Sequence, residues 1–253
     1  MRGHLIVIEG TDCSGKATQT KLLVNRLRGD GYKVGVISYP VYDSPTGKII
    51  GACLLGKPDM CNDFLKEEHG WFLEGGGNVD AWAASDLYAA DRRYNLPKLL
   101  DLLNNNDIVI ADRYVQSNMA HRGGYIDSYY DRLKMYKNIE LLEYVVNGLP
   151  KPTHTYLLYM PYDVAKVLRE NRMEALDEAE SNEMYMRRAE QAYLELARIY
   201  KYDIVNCSYN NSIRSIDDIN NELYGKVKKR ILVLHEWVGT KITTLSRTSG
   251  SFL

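Results

Sequence analysis

Two hydrophobic signatures alternate along the chain. Short apolar runs at residues 5–8 (LIVI), 32–39, 107–111 (DIVIA), 155–160 (TYLLYM) and 204–207 have the length of strands buried on both faces. Between them, apolar residues recur at helical spacing over residues 16–28, 46–55, 81–103 with an interruption near Pro97, 129–146, 162–172, 178–200 and 215–234. Strands alternating with helices predict a parallel sheet with right-handed crossovers, a three-layer α/β domain of about five strands with helices on both faces. Residues 117–124 are expected to be a loop. Residues 57–78, Gly-rich and irregular, read as a mobile surface excursion. A single domain is expected over residues 1–238, with a flexible tail at 239–253.

The first run ends in Gly10-Thr11-Asp12-Cys13-Ser14-Gly15-Lys16, and a helical pattern follows at once. Strand, glycine-bounded loop, helix is the context of a P-loop. Gly10 and Gly15 let the backbone N–H groups turn inward, the helix N-terminus adds its dipole, and Lys16 reaches the outer phosphates. The expected ligand is a nucleoside triphosphate, held by residues Gly10, Thr11, Asp12, Cys13, Ser14, Gly15, Lys16, Ala17 and Thr18. Ala17 stands where a Ser or Thr hydroxyl would meet Mg²⁺, and Thr18 comes one place late. The strand at 107–111 delivers Asp112 to its carboxyl end, where a carboxylate holds Mg²⁺ directly or through water. Arg113 beside it is placed to clamp a second anion. Tyr88 and Arg92, four apart on a helix, share a face suited to a planar base, although an ordinary Tyr–Arg packing has the same pattern.

The 32 Lys and Arg nearly balance the 33 Asp and Glu, so no global field recruits a nucleic acid polymer or an anionic membrane. The four cysteines show no paired spacing, which argues against zinc and a disulfide framework and favours a reduced, cytoplasmic setting. No apolar run approaches a membrane span, and the first strand begins too early to leave room for a signal peptide.

These pieces together resemble the thymidylate kinase family. Glu9-Gly10-Thr11-Asp12 with Gly15-Lys16-Ala17-Thr18-Gln19 is similar to its P-loop, and Tyr39-Pro40-Val41-Tyr42 to its F-P-x-Y loop. Leu87-Tyr88-Ala89-Ala90-Asp91-Arg92 is similar to its base-binding helix, and Asp112-Arg113-Tyr114-Val115-Gln116-Ser117-Asn118 to its D-R-Y-x-x-S segment. The resemblance implies a kinase that moves the γ-phosphoryl group of ATP onto dTMP with Mg²⁺, and a homodimer. It implies that Asp12 approaches the sugar 3′-OH, that Tyr42 and Arg113 hold the acceptor phosphate, that Tyr88 stacks on thymine, and that Arg92 with Asn118 reads the base edge. Pro40 and Ser117 fall in the same substrate set. His121 stands where many members have a Tyr that crowds the ribose 2′ position, and Arg122 where a Gln is common. The P-loop carries no arginine between Asp12 and Gly15, so the catalytic cations are expected to be Lys16, Arg113 and, from a lid at about 169–180, Arg169 and Arg172. Two alternatives share these motifs: a kinase for another nucleoside monophosphate, and a nucleotide-binding module without catalysis.

Overall fold

The computed structural model describes residues 3–57, 72, 75–170 and 182–248. Five parallel strands form one sheet in the order β2-β3-β1-β4-β5, with β1 His4–Gly10, β2 Val34–Ser38, β3 Ile108–Asp112, β4 His154–Tyr159 and β5 Asp203–Asn206. The P-loop strand is central, as its all-apolar run requires. Successive residues of β1 point to opposite faces, so Leu5 and Val7 enter one core and Ile6 and Ile8 the other. On the first face the sheet packs under α4 (Leu96–Asn105), α5 (Val115–Gly123), α6 (Tyr129–Glu140) and α8 (Glu183–Tyr200), through Leu99, Met119, Tyr136 and Tyr193. On the second it meets α1 (Lys16–Gly29), α7 (Tyr162–Glu170) and α9 (Ile216–Thr248), through Leu23, Ala165 and Leu223. The three-layer expectation holds.

A short α2 (Pro45–Ile49) runs into a π-helical turn over Ile50–Leu54, and α3 (Ala81–Tyr94) is separated from α4 by Asn95, two residues ahead of Pro97. A carboxylate at 91 ties these pieces together. Asp91 accepts from Val41 N (3.0 Å), Ser44 Oγ (3.1 Å), Thr46 Oγ1 (2.8 Å) and Asn95 Nδ2 (3.0 Å), pinning the loop after β2 onto α3.

Three expectations differ from the structure. The stretch 117–124, expected as a loop, lies in helix α5 through Gly123. Its polar residues Gln116, Ser117 and Asn118 are buried rather than solvated, and the Glu9 carboxylate accepts from Tyr114 N (2.9 Å) and Ser117 N (3.1 Å), satisfying the free N–H groups of the helix start. The last helix does not stop near 234 but runs to Thr248, through the Ser- and Thr-rich segment expected to fray. A two-stranded antiparallel ribbon, β6 Ser208–Tyr209 and β7 Ser212–Ile213, went unpredicted; Asn210 and Asn211 turn it with φ of 48° and 60°, the left-handed pair of a tight hairpin. Most of the 57–78 excursion, Arg172 and the lid from 171 to 180 lie outside the described residues.

Candidate active site

The carboxyl ends of β1, β3 and β4 converge on one cavity of about 280 Å³. At its floor the P-loop is shaped by its own sequence. A side chain on Gly10 would meet Ser14 Oγ at 2.4 Å, and Gly15, at φ 71°, begins α1 in the left-handed conformation. Cys13 also takes positive φ (53°). Thr11 is clipped to the end of β4, its hydroxyl bonded to both Met160 O and Met160 N at 2.8 Å.

Lys16 reaches across to β3, where its Nζ lies 2.7 Å from Asp112 Oδ1. Burial, with the Arg113 guanidinium nearby, pushes the Lys16 ammonium below its usual value against the pull of Asp112. Asp12 faces the opposite way. Its Oδ2 accepts from Cys13 Sγ (3.4 Å) and pairs with Arg169 Nη1 (3.2 Å), whose guanidinium also lies over the Tyr162 ring, 4.7 Å from its centroid. Ala17 and Thr18 are exposed on the first turn of α1.

The acceptor side is built by α3, α5 and the loop after β2. Gly10, Thr11, Asp12, Pro40, Tyr42, Tyr88, Arg92, Arg113, Ser117, Asn118 and His121 all line the cavity, so every residue expected to hold substrate stands on it. Arg113 sits at φ 64°, its Nη1 3.2 Å from His121 Nε2 and 3.5 Å from Ser117 Oγ. Although burial alone would lower it, the neighbouring Tyr193, Glu9 and Asp112 hold the guanidinium above its usual value, so it stays cationic. His121 Nδ1 is 2.8 Å from Tyr185 OH, and burial, reinforced by Arg113 and Arg122, drives the imidazole pKa well below its ordinary 6.5. A neutral ring that accepts from Arg113 and donates to Tyr185 satisfies both contacts.

Arg92 is only 2 % exposed and forms a two-pronged pair with Glu143, through Nε–Oε2 and Nη2–Oε1, the second at 2.6 Å. Asn118 Nδ2 donates to Ser85 O, Ser85 Oγ and Glu143 Oε1, each at 3.1 Å. Arg122, on the far wall, lies 5.6 Å from the Tyr88 ring centroid and 5.0 Å from that of Tyr125.

Sequence reasoning quoted Glu9 within a motif but gave it no task, and missed Glu143 altogether. Glu9 was findable as a charge inside an apolar strand: it is fully buried, also accepts from Ser117 Oγ (2.5 Å) and Tyr193 OH (3.2 Å), and burial raises its pKa. Glu143 carried no signal, because a Glu on an amphipathic helix reads as solvated.

A family model described as thymidylate kinase matches residues 8–219. The chain belongs to the thymidylate kinase family. The probable thymidylate kinase of Pyrococcus horikoshii is 30 % identical over 239 residues, spanning 92 % of this chain and 100 % of the relative. The thymidylate kinase of Halothermothrix orenii is 30 % identical over 237 residues, spanning 90 % and 98 %. In fold, a thymidylate kinase solved from Candida albicans matches with a TM-score of 0.64 at 24 % identity, over 91 % of this chain and 94 % of that one. Membership in the thymidylate kinase family makes this chain a nucleotide-binding transferase of the kinase class.

Among the described residues no group of three or more His, Cys, Asp or Glu side chains is placed to hold a metal ion. Ala17 adds no oxygen, and Asp112 stands beside Lys16 at the end of β3. This donor set fits a Mg²⁺ ion that arrives on triphosphate oxygens and keeps its waters, with Asp112 as the protein's carboxylate, rather than an ion resident in the protein. Among the described residues no helix is long and apolar enough to cross a membrane.

Proposed function

We propose that this chain transfers the γ-phosphoryl group of ATP to dTMP, giving dTDP and ADP. What supports the acceptor assignment is the composition of one cavity: a half-buried cation, Arg113, near the P-loop and, in the same lining, a ring (Tyr88) with a buried polar pair (Arg92 and Asn118) suited to a base edge. One end accommodates a phosphate and the other a pyrimidine.

In this reading the P-loop amides and Lys16 hold the β- and γ-phosphates of ATP, and Asp112, directly or through water, would hold a Mg²⁺ ion that would supply further positive charge to the phosphates. Arg113 and Tyr42 fix the dTMP phosphate so that one of its oxygens attacks the γ-phosphorus in line as the bond to ADP breaks. Asp12 receives the sugar 3′-OH. Tyr88 stacks on thymine, Asn118 accepts from its N3–H, and Arg92 donates to its O4. Catalysis is then mostly positioning and charge placement. Arg169, from α7, supplies charge to the transferring group; Arg172 is assigned the same task.

The finer settings belong to the same proposal: a reduced cytoplasmic location, no nucleic acid polymer as partner, and a homodimer. Exposed Leu141, Val145 and Val146 at the end of α6 give the apolar surface that a second copy would cover, and light scattering of the purified protein tests that. A coupled ADP-release assay with ATP, Mg²⁺ and a panel of nucleoside monophosphates tests the activity. Preference for dTMP is expected; turnover of a different monophosphate, or of none, would overturn the assignment.

A further inference from the structure

Glu143 belongs to the π-helical turn Leu141–Val146 at the end of α6, and none of its surface is exposed. Its carboxylate receives two nitrogens of Arg92 and one hydrogen bond from Asn118. The acceptors around Asn118 settle which way its amide points. Glu143 Oε1 and Ser85 O can only accept, so the nitrogen must face them and the carbonyl oxygen must face away. That oxygen, Asn118 Oδ1, is buried without a hydrogen-bond partner among the described residues, on a side chain 3 % exposed that lines the cavity. A buried carbonyl oxygen in that state is costly, and a ligand N–H relieves it.

We infer that Glu143 fixes the polarity of the base-reading pair and thereby determines which pyrimidine the site takes. The inference rests on the base-site reading given above. With Glu143 ionised, Asn118 presents an acceptor and Arg92, its Nε and Nη2 already engaged, presents donor nitrogen beside it. A 4-oxopyrimidine offers the complement, a donor at N3 and an acceptor at O4. A 4-aminopyrimidine offers the reverse at both atoms and leaves buried groups unpaired on protein and ligand. Glu143 touches no substrate in this arrangement. It is a positioning residue, and it acts because a carboxylate cannot donate.

The test replaces that carboxylate by its amide. In E143Q the side chain at 143 can donate to Asn118 Oδ1 by placing its nitrogen where Oε1 stands, at the cost of the bond from Arg92 Nη2, so Asn118 can turn its nitrogen toward the base; that lost bond and Ser85 O still favour the original orientation, and the change is therefore partial. Values of kcat/KM for dTMP and dCMP are measured in wild type, E143Q and E143D. The ratio of dTMP to dCMP is expected to fall about tenfold in E143Q and to persist in E143D, with the KM for ATP unchanged in both. A folded E143Q whose ratio stays within about twofold of wild type overturns the inference. If wild type itself uses dCMP as readily as dTMP, the base-site reading fails first and takes the inference with it. Should E143Q not accumulate as folded protein, the shorter pair E143D and E143N, which leaves room for water beside Arg92, carries the same contrast: selectivity kept in the first and lost in the second supports the inference, and equal selectivity in both overturns it.

Discussion

Arg169 Nη1 lies 3.2 Å from Asp12 Oδ2, so the helix that leads into the segment after residue 170 is tied to the P-loop by an ion pair that is nearly dry on the arginine side. In the proposed reaction this cation supplies charge to the transferring group. R169A is expected to lower turnover by about 10²-fold while changing the KM for ATP and dTMP only a few-fold, the pattern of a group that acts mainly in the transition state. Steady-state kinetics at saturating substrates decide it: turnover within a few-fold of wild type assigns the charge to another residue.

His121 makes an acid-side prediction. Its folded pKa is held well below 6.5, first by burial and then by Arg113 and Arg122, with Lys16 adding to the repulsion. The unfolded chain therefore binds a proton that the folded chain refuses, and stability that is full above about pH 6.5 declines as the pH falls toward the depressed value. Thermal melts of wild type and H121F are expected to differ most at pH 8 and to converge as the pH is lowered to about 5, since the variant has lost this source of acid sensitivity while His154 remains in both. The same variant removes the nearer of two acceptors for Arg113 Nη1, and the KM for dTMP at pH 8 is expected to rise several-fold with the KM for ATP unmoved.

Asp112 and Ala17 carry opposite expectations for the metal. D112N is expected to raise the Mg²⁺ concentration needed for half-maximal activity and to lower turnover, because it removes both a ligand and the counter-charge 2.7 Å from Lys16. A17S restores a hydroxyl at the usual place and is expected to shift the Mg²⁺ requirement only modestly. Titration of activity with Mg²⁺ checks both, and full activity of D112N in excess Mg²⁺ would contradict the role of Asp112.

Arg92, assigned to the base edge in the proposed function, is also half of a buried ion pair. R92A leaves the Glu143 carboxylate buried without its partner, a loss of about 3–5 kcal/mol expected in urea unfolding. The double variant R92M/E143L, which leaves neither charge unpaired, is expected to regain most of that stability while its use of dTMP stays impaired. Recovery of both together would make the arginine purely structural.

The sheet was legible because a strand buried on both faces must be apolar through its length, and residues 5–8, 108–111 and 156–160 are. The P-loop was legible because its glycines have backbone duties that survive in any sequence context. Helix α5 was not, since Gln116, Ser117 and Asn118 look like solvent-facing residues until their buried partners are seen: Tyr144 OH, the Glu9 carboxylate, and Ser85 with Glu143. Likewise, Arg92 pointed to a base from its spacing with Tyr88, but its binding partner lay 51 positions away on another helix, beyond any local pattern. Distances of that kind are set by topology, and only the packed structure reports them.

β1 ends in the P-loop, and one residue before that loop its Glu9 carboxylate grips the start of the helix that bears Ser117, Asn118 and His121. The P-loop and the helix start that carries Ser117, Asn118 and His121 therefore hang from neighbouring residues of a single strand at the middle of the sheet. Their separation is a dimension of the scaffold, fixed once at folding. In the proposed transfer, the gap between donor and acceptor is one that the central strand sets.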